Sequence, residues 1–481
     1  MTDDIQKAGV SDFLQDNPPE TARDEYAGDN DYELKSIIIK SPSGGEVDVA
    51  NVFTNMKLYE DLLTNTMSCS LSWPDNNNIV RHLPIVGQRE KIIATFTIPG
   101  DKEVVYEYDI YAIVTRTLSD VGKKQMVTVR GVSSEQFKNI HTRISRSYYK
   151  KIDEMVSEIF SEHLEDTGGE SKQHKLNIDV KTDSEKRKFI IPNWHPFDAI
   201  NWLADRSQGE ENPNACHFIL YQNREGFHFT TIEKLFEEKE PKMAYYYTPR
   251  KYRENPGWFR DPGFETRNIQ KLIIEQPGDR LDENIQGMYG SKILTHDIVR
   301  KKYEFKEYSM KDSFKDTKHV PQPEKESYPI AETLDEFSDK PDTFWNFCPI
   351  HKTLNQKNEL HGGDTVEQNE KYADWLLRRK SLARQIGGMV INVDVSGDSR
   401  RKCGDIINLQ VTPLQPGSKD DQNLDKYLCG NYLVTSIKHT IRPDGYTMSM
   451  ELSKDNQNDT YPTQSDFIGS INKNKANTTP Q

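Results

Sequence analysis

Hydrophobic and polar residues alternate along much of the first third of the chain. Around residue 70 the alternation is strict, with one set of side chains apolar and the other small and polar: Met67, Cys69, Leu71 and Trp73 against Thr66, Ser68, Ser70 and Ser72. A period of two is typical of a strand with one buried face. Three further β-rich segments follow across short turns: KIIATFTI (91–98), YEYDIYAIVTRTL (106–118) and KKQMVTVRGV (123–132). Short links between successive strands predict an antiparallel barrel or sandwich over residues 33–135.

The spacing of apolar residues changes to three and four after residue 150. One such run is Ile152, Met155, Val156, Ile159, Phe160 and Leu164, which predicts an amphipathic helix. A second helix is predicted to begin at Pro196, because a missing N–H is tolerated in the first helical turn. Its apolar stripe is Phe197, Ile200, Leu203 and Ala204. A hairpin follows, with CHFILYQ and FHFTTI on either side of NREG (223–226). These elements predict an α+β insertion domain over residues 136–255.

The middle of the chain has a weaker pattern. LIIEQ, SKILTHDIV and KKYEFKEY indicate strands, whereas the stretch from Lys311 to Asp342 is charged and contains proline. We interpret that stretch as an extended loop or linker. Residues 256–370 are therefore expected to combine strands with a linker.

The last folded part is predicted to be a helix followed by β structure over residues 371–455. The helix KYADWLLRRKSLARQIGG has apolar residues on one side: Tyr372, Trp375, Leu376, Ala383 and Ile386. Four β segments follow it: MVINVDV (389–395), DIINLQV (405–411), NYLVTSIKHTI (431–441) and YTMSMEL (446–452). Both ends of the chain, residues 1–32 and 456–481, are polar without any period and are expected to form a disordered arm and tail.

Two segments of the chain resemble each other. In YDIYAIVTRTLSDVGKKQMVTVRGV (108–132) and NYLVTSIKHTIRPDGYTMSMEL (431–452) a long strand ends in Thr-Leu or Thr-Ile, a turn with Asp and Gly follows, and a second alternating strand begins. A glycine precedes the strand upstream of each, Gly87 in one case and Gly404 in the other. One interpretation is an early and a late copy of the same β unit; the alternative is that unrelated hairpins look this similar.

Composition excludes several classes of protein. The chain has 481 residues, enough for about three to four domains. It carries 76 acidic and 63 basic residues, a net charge of −13, which argues against a protein that grips nucleic acid. Its first residues, MTDDIQKAGV, have neither the basic nor the apolar region of a signal peptide. Apolar runs stay below the ~20 residues of a membrane helix, so no membrane insertion is expected.

Metal and catalytic chemistry have few candidate residues. The cysteines are scattered and odd in number, which predicts neither a disulfide framework nor a zinc ribbon and fits a reducing cytoplasm: Cys69, Cys216, Cys348, Cys403 and Cys429. Ligand types come close together only at Cys348, His351 and His361, with Asp364 as a fourth group. Their segment is polar and contains glycine, so we interpret it as a surface loop. We therefore predict no catalytic, cofactor-binding or metal site.

Other polar groups are expected to have structural roles. His195 and His217 stand beside Trp194 and Phe218 and are interpreted as packing or capping residues. The basic groups RKYR (250–253), RKKYEFK (300–306) and LRRKSLAR (377–384) are interpreted as solvated, the last as one face of a helix. The alternative for the first two is contact with an acidic partner protein.

Three stretches together resemble the baseplate hub proteins of T-even-type myoviruses and, more loosely, hub domains of phage late-control proteins and type VI secretion spikes. They are KKQMVTVRGVSSEQFKNIHTRISRSYYKKIDEMVSEIF (123–160), FIIPNWHPFDAINWLADRS with the hairpin containing EGFHF, and CGDIINLQV followed by YLCGNYLVTSIKHTI and DGYTMSMELSKD. Their order and spacing over residues 35–455 carry the resemblance.

The resemblance implies a structural protein and no enzyme. Such hubs are homotrimers in which each subunit supplies two β-barrel domains of tail-tube type, so that six similar domains form a ring. It further implies binding to a central spike protein, to the tail tube or its initiator and to other baseplate proteins, with DNA only in transit through the lumen. We thus expect a virion protein of the tail baseplate, assembled in the bacterial cytoplasm.

Two other functions stay open at this point. One is a tail-associated peptidoglycan hydrolase or peptidase with β binding modules, whose active site would lie in residues 311–370. The other is a secretion-system spike hub, which differs mainly in host and partners.

Overall fold

The computed structural model describes most of the chain, with gaps. The described residues are 32–75, 79–83, 85–87, 89–97, 103–118, 125–165, 172–237, 241–247, 267–275, 280–297, 301–321, 328–329, 344–350, 356–357, 365–366, 372–411, 425 and 427–457. The predicted arm up to residue 31 and the tail from residue 458 lie outside them.

The described residues of the early part form seven strands and one short helix. They are β1 (Glu33–Lys40), β2 (Glu46–Asp48), β3 (Asn55–Asp61), β4 (Ser68–Pro74), α1 (Ile79–His82), β5 (Lys91–Thr97), β6 (Val104–Leu118) and β7 (Gln125–Val132). The strict alternation around residue 70 is confirmed in β4, where Cys69, Leu71 and Trp73 are all buried.

A mixed unit follows β7. It contains α2 (Ser134–His141), β8 (Ile144–Lys150), α3 (Ile152–His163), a 3-10 turn (Lys172–His174), β9 (Leu176–Ile178), β10 (Arg187–Trp194), α4 (Pro196–Ala204), β11 (Phe218–Asn223), β12 (Gly226–Thr231) and α5 (Ile232–Leu235). The apolar stripes of α3 and α4 pack with β11 and β12 into a core of their own, because both helices present one apolar face.

The middle segment is more regular than its sequence indicates. Its elements are β13 (Ala244–Tyr247), β14 (Lys271–Glu275), α6 (Arg280–Ile285), β15 (Gly290–Asp297), β16 (Lys302–Ser309), α7 (Met310–Ser313), a 3-10 turn (Phe314–Asp316), β17 (Tyr328–Pro329), β18 (Trp345–Ile350), β19 (Gln356–Lys357) and β20 (Thr365–Val366). The prediction of an extended linker from Lys311 is wrong for residues 311–316, which are helical. Phe314 and, beyond it, Val320 are buried, which anchors this part of the chain.

The late part forms one long helix and five strands: α8 (Tyr372–Gln385), β21 (Met389–Ser396), β22 (Ile406–Val411), β23 (Gly430–Arg442), β24 (Gly445–Lys454) and β25 (Asn456–Gln457). The predicted apolar stripe of α8 is wrong at Ala383, which is exposed, while Leu377 and Leu382 are buried. Ordered structure also passes the predicted boundary after residue 455, because β25 pairs with β17 and buries Asn456.

A single 13-stranded sheet joins the early and late strands. Its order is β14-β21-β24-β23-β3-β4-β7-β6-β5-β1-β2, with β22 on β23 and β13 on β22. The predicted mainly β, antiparallel fold is thus confirmed in outline. Among the described strands this path stays open at β14 and β2 and does not close into two barrels. Two strands that the sequence places elsewhere, β13 in the α+β insertion and β14 in the middle segment, belong to this sheet.

Candidate assembly surfaces

The large sheet contains the same arrangement of strands twice. The early unit has the order β3-β4-β7-β6-β5-β1, and the late unit has the order β14-β21-β24-β23-β22-β13. When the six strands of each unit are ranked by their position along the chain, the two spatial orders are identical. One difference is direction, since β13 runs parallel to β22 whereas β1 runs antiparallel to β5. The two orders match the early and late copies that the sequence comparison suggests.

Local backbone features repeat at matching places in the two units. The N–H of Ile110 donates to the carbonyl of Glu90 (2.7 Å), and the N–H of Val434 donates to that of Asp405 (2.9 Å). The register of β6 against β7 shifts directly after Ile110, and that of β23 against β24 shifts directly after Val434. Such bulges re-aim a strand, so their repetition at one position indicates a shared design.

The two glycines singled out in the sequence also adopt one conformation. Gly87 has φ of 77° and Gly404 has φ of 92°, in the left-handed region where a side chain is strained. Each lies just before a strand that pairs with the long strand of its unit. Glycine is thus required at equivalent turns of both units.

The two units are joined by strand pairing between β23 and β3. Residues Ser436–Ile441 of the late unit pair with Met56–Asp61 of the early unit. Leu62, just beyond β3, packs into the core of the late unit, and its N–H donates to the carbonyl of Thr435 (3.0 Å). The junction is therefore a continuous sheet with shared core residues.

A buried carboxyl group lies in this junction. Glu60 is 2% exposed, and its Oε2 accepts a hydrogen bond from the N–H of Cys403 (3.2 Å). Burial raises the pKa of Glu60 to about 7, although the Cys403 N–H and nearby cations oppose the shift. No sequence pattern marks this group, because acidic residues are common in the chain.

We expect Glu60→Gln to stabilise the protein at high pH. A folded-state pKa above the unfolded value of 4.5 means that the stability present below pH 4.5 is lost as the pH rises through about 7. The amide keeps an acceptor for Cys403 but cannot ionise. Urea unfolding should give equal free energies for parent and variant near pH 4.5, and a variant more stable by up to about 3 kcal/mol at pH 8. Equal stabilities at both pH values would contradict this assignment.

The two strands that correspond to the paired strands of this junction are β14 and β6, and each has an open edge at the far side of its unit. β14 holds the place of β3 and pairs only with β21 among the described strands, leaving Ile273 and Ile274 each 41% exposed. β6 holds the place of β23, and its pairing with β5 ends at Asp109. Beyond that point Tyr111 is 45% and Val114 is 47% exposed. Open strand edges with apolar side chains are sites of further pairing.

A second exposed apolar surface lies on the small sheet of β16, β15 and β18. One face packs through Ile293 toward α8, and the other exposes four large aromatic side chains: Tyr303, Phe305, Trp345 and Phe347. His296 stacks on Tyr303 with ring centroids 4.4 Å apart. Aromatic residues on an exposed face are characteristic of protein interfaces.

The predicted solvation of the basic run on α8 is wrong at Arg379 and Lys380, whereas Arg384 is exposed. The Arg379 guanidinium donates to the carbonyl of Cys216 (2.9 Å), the carbonyl of Phe218 (3.2 Å) and the carboxylate of Asp205 (2.6 Å). Lys380 donates to the side-chain oxygen of Asn346 (3.1 Å). The run thus ties α8 to the mixed unit and to the small sheet.

Replacing Arg379 should weaken this attachment. We expect Arg379→Leu to lower the free energy of unfolding by about 2 kcal/mol, since a charged donor leaves several buried carbonyls. Arg384→Leu, on an exposed position of the same helix, is the matched control and should stay within about 0.5 kcal/mol. Denaturant unfolding of both variants measures the difference, and equal losses would contradict the role of Arg379.

The residues considered for metal or catalytic chemistry do not form a described site. Cys348 lies in β18, while His351, His361 and Asp364 lie outside the described residues. Within the described part of the chain, no group of three or more metal-binding side chains occurs. Likewise, no helix there combines the length and apolarity needed to cross a membrane.

The two histidines considered as packing or capping groups lie at the mixed unit. His195 precedes α4, and its Nδ1 lies 2.9 Å from the carbonyls of both Asn139 and Thr142. Burial lowers the pKa of His217 to about 3, so this ring stays neutral.

Known proteins similar to this chain include a phage baseplate protein and two tail proteins. No protein-family model matches the chain. The chain is 22% identical over 413 residues to the probable baseplate hub protein gp334 of Vibrio phage KVP40, covering 85% of this chain and 90% of that protein. It is similar in structure to the tail protein from Neisseria meningitidis MC58, with a TM-score of 0.50 and 9% identity over 88% of this chain and 97% of that one. The 43 kDa tail protein of prophage MuSo2 from Shewanella oneidensis gives a TM-score of 0.47 with 9% identity, over 87% of this chain and 98% of that one.

The chain has the fold of a class of phage tail proteins. Within that class its function is that of a baseplate hub protein, located in the tail baseplate of the virion. The resemblance seen in the three sequence stretches is thereby confirmed.

Proposed function

We propose that the chain is a trimeric adaptor at the centre of the baseplate, which joins the central spike to the tail tube or its initiator. The observation that carries this proposal is the duplicated strand order, β3-β4-β7-β6-β5-β1 and β14-β21-β24-β23-β22-β13. Three copies supply six equivalent units, which match a sixfold tube on one side while keeping threefold symmetry for a spike on the other.

The duplicated units correspond to the tube-like β-barrel domains expected from the resemblance. The early unit is the predicted domain 33–135. The late unit is the predicted β part of 371–455, extended by β13 and β14. In this division the mixed unit (residues 134–235) and the small sheet of β15, β16 and β18 are insertions on a ring of barrels. The ring closes each sheet against its neighbours.

Charge fits the passage of DNA without retention. The net charge of the chain is −13, and a ring lumen lined with carboxylates would repel phosphate groups and let the genome slide through. A lumen lined with lysine and arginine in the assembled ring would contradict this part of the proposal.

The adaptor acts by binding, and no chemical step is assigned to it. Two exposed apolar surfaces, the open strand edges and the aromatic face, are available for contacts with other copies and with baseplate proteins. Zymography on peptidoglycan tests this view, with Cys348→Ala beside the parent protein. Clearing that disappears in the variant would favour the hydrolase instead.

Electron microscopy of the purified chain tests the proposal at the level of shape. End-on views should show a ring with a central hole and six similar lobes related by threefold symmetry. Particles with only two lobes, imaged at concentrations at which light scattering gives the mass of the full assembly, would contradict the ring. Added spike protein should bind one face of the ring and tube-initiator protein the other.

A further inference from the structure

The junction inside one chain provides a template for the contact between chains. In this junction the second half of β23 pairs with β3, with Lys438 opposite Tyr59. The late unit is thereby fixed to the early unit of the same chain. The early unit also contains β6, which is its counterpart of β23. The late unit also contains β14, which is its counterpart of β3.

Rows of paired residues across the sheet fix which positions correspond on the long strands. In the early unit Ser72 pairs with Thr128, which pairs with Thr115 on β6. In the late unit Asp394 pairs with Ser449, which pairs with Lys438 on β23. Thr128 and Ser449 each lie three residues before the partner of the residue that precedes the first bulge, so these two rows match. Thr115 therefore holds the place of Lys438, although β6 has a second register shift just before Thr115.

The same reasoning fixes the edge strands. Tyr59 on β3 pairs with Ser68, which pairs with Val132. Glu275 on β14 pairs with Val390, which pairs with Ser453. In β6 the residue before the bulge is Ile110, whose partner Gly131 directly precedes Val132. In β23 the residue before the bulge is Val434, whose partner Leu452 directly precedes Ser453. Val132 and Ser453 therefore match. Glu275 therefore holds the place of Tyr59.

We propose that β14 of one copy adds to the second half of β6 in the next copy, in the register that places Glu275 opposite Thr115. The occupant of this surface is thus a second copy of the chain, and the inference rests on the trimeric ring proposed above. Each contact is head-to-tail, since β14 and β6 are different surfaces, and such contacts form a ring when the rotation closes.

Exposure on the two sides of the molecule supports the same partner. Val86 precedes Gly87 and is 61% exposed, whereas Cys403 precedes Gly404 and is fully buried at the intrachain junction. Likewise Tyr111 is 45% exposed, whereas its counterpart Thr435 is 8% exposed. The early unit thus exposes those positions that the late unit covers with β3 and the segment after it. A strand with the apolar edge of β14 is the surface that would cover them.

Paired cysteines test the register. We expect Thr115→Cys/Glu275→Cys to give disulfide-linked dimers and trimers under mild oxidation, because opposed residues have Cβ atoms about 4.5–5.5 Å apart. The native cysteines with described side chains are buried or partly buried, which limits competing links. Thr115→Cys/Ile274→Cys is the matched control, shifted by one residue and pointing to the opposite face, and should not crosslink.

The mass of the unoxidised double variant separates this inference from the trimer itself. A trimer that crosslinks in the expected pair and not in the shifted pair supports the inference. A trimer that fails to crosslink, or that crosslinks only in the shifted pair, overturns the strand register and leaves the trimeric adaptor standing. A protein that stays monomeric, in the parent as well as in the variants, overturns both.

Discussion

Gly397→Ala is expected to reduce the stability of the protein by roughly 3 kcal/mol or more. Gly397 is buried directly after β21, where an added Cβ would overlap the ring carbons of Tyr446. That ring cannot move aside, because its hydroxyl is 2.8 Å from Nδ1 of His439 and the ring makes a T-shaped contact with Phe96 in the core of the early unit. Tyr446 belongs to the late unit, so the clash would loosen the contact between the two units.

Gly387→Ala is the matched control for this substitution. Its added Cβ would lie 3.6 Å from the carbonyl oxygen of Arg384, an ordinary contact, and its φ is not in the left-handed region. Thermal and urea unfolding should show a loss only for Gly397→Ala. Equal behaviour of the two variants would show that the Tyr446 ring has room that the structure does not indicate.

Glu135→Ala should remove about 3 kcal/mol, since it takes away the carboxylate in direct contact with the buried His174 ring and leaves one more distant carboxylate, 3.8 Å away. The Glu135 side chain is fully buried at the start of α2. Its carboxylate lies 2.6 Å from Nδ1 of His174 and accepts a hydrogen bond from the hydroxyl of Ser133 (2.5 Å). Ser133 in turn accepts from Gln222, which also accepts from the N–H of Met67. The network thus joins the mixed unit to the early β unit.

The pH dependence of this network has a defined sign. Burial lowers the pKa of His174, but the nearby carboxylates of Glu107 and Glu135 outweigh it and raise the pKa to about 9. The stability that this pair contributes is therefore complete below the unfolded value of 6.5 and is lost as the pH rises through 9. The difference in unfolding free energy between parent and Glu135→Ala should shrink between pH 7 and pH 10.

Gln136→Ala provides the control for Glu135→Ala. It changes the next residue of the same helix, which is half-buried, and should alter stability by no more than about 0.5 kcal/mol. A loss at Glu135 no larger than at Gln136 would show that the buried pair is not important for the attachment of the mixed unit.

Local pattern was sufficient to predict most individual elements. The strands with one buried face, such as β4, and the helices α3 and α4 each show a clear period because one side of the element faces a core. The hairpin β11–β12 follows from two β-rich segments around a short turn. The resemblance, carried by three such stretches, predicted the hub function as well.

Pairing between distant parts of the chain was not predictable from local pattern. β14 was predicted as a strand, but its place in the late unit depends on β21, more than a hundred residues away. Arg379 was interpreted as solvated because helical spacing cannot show that carbonyls of another unit lie beside it. The exposed edge formed by Ile273 and Ile274 looks in sequence like any buried strand. The candidate surfaces therefore became visible only with the topology of the sheet.

The solution mass of the purified chain shows whether the protein forms a trimer. Multi-angle light scattering over a range of concentrations should give three times the chain mass of 55.6 kDa, with no change on dilution well above the dissociation constant. A trimer is the number of copies that turns two equivalent units per chain into six around one axis. A mass that stays at that of one chain at every concentration, or that corresponds to a dimer, would contradict the account.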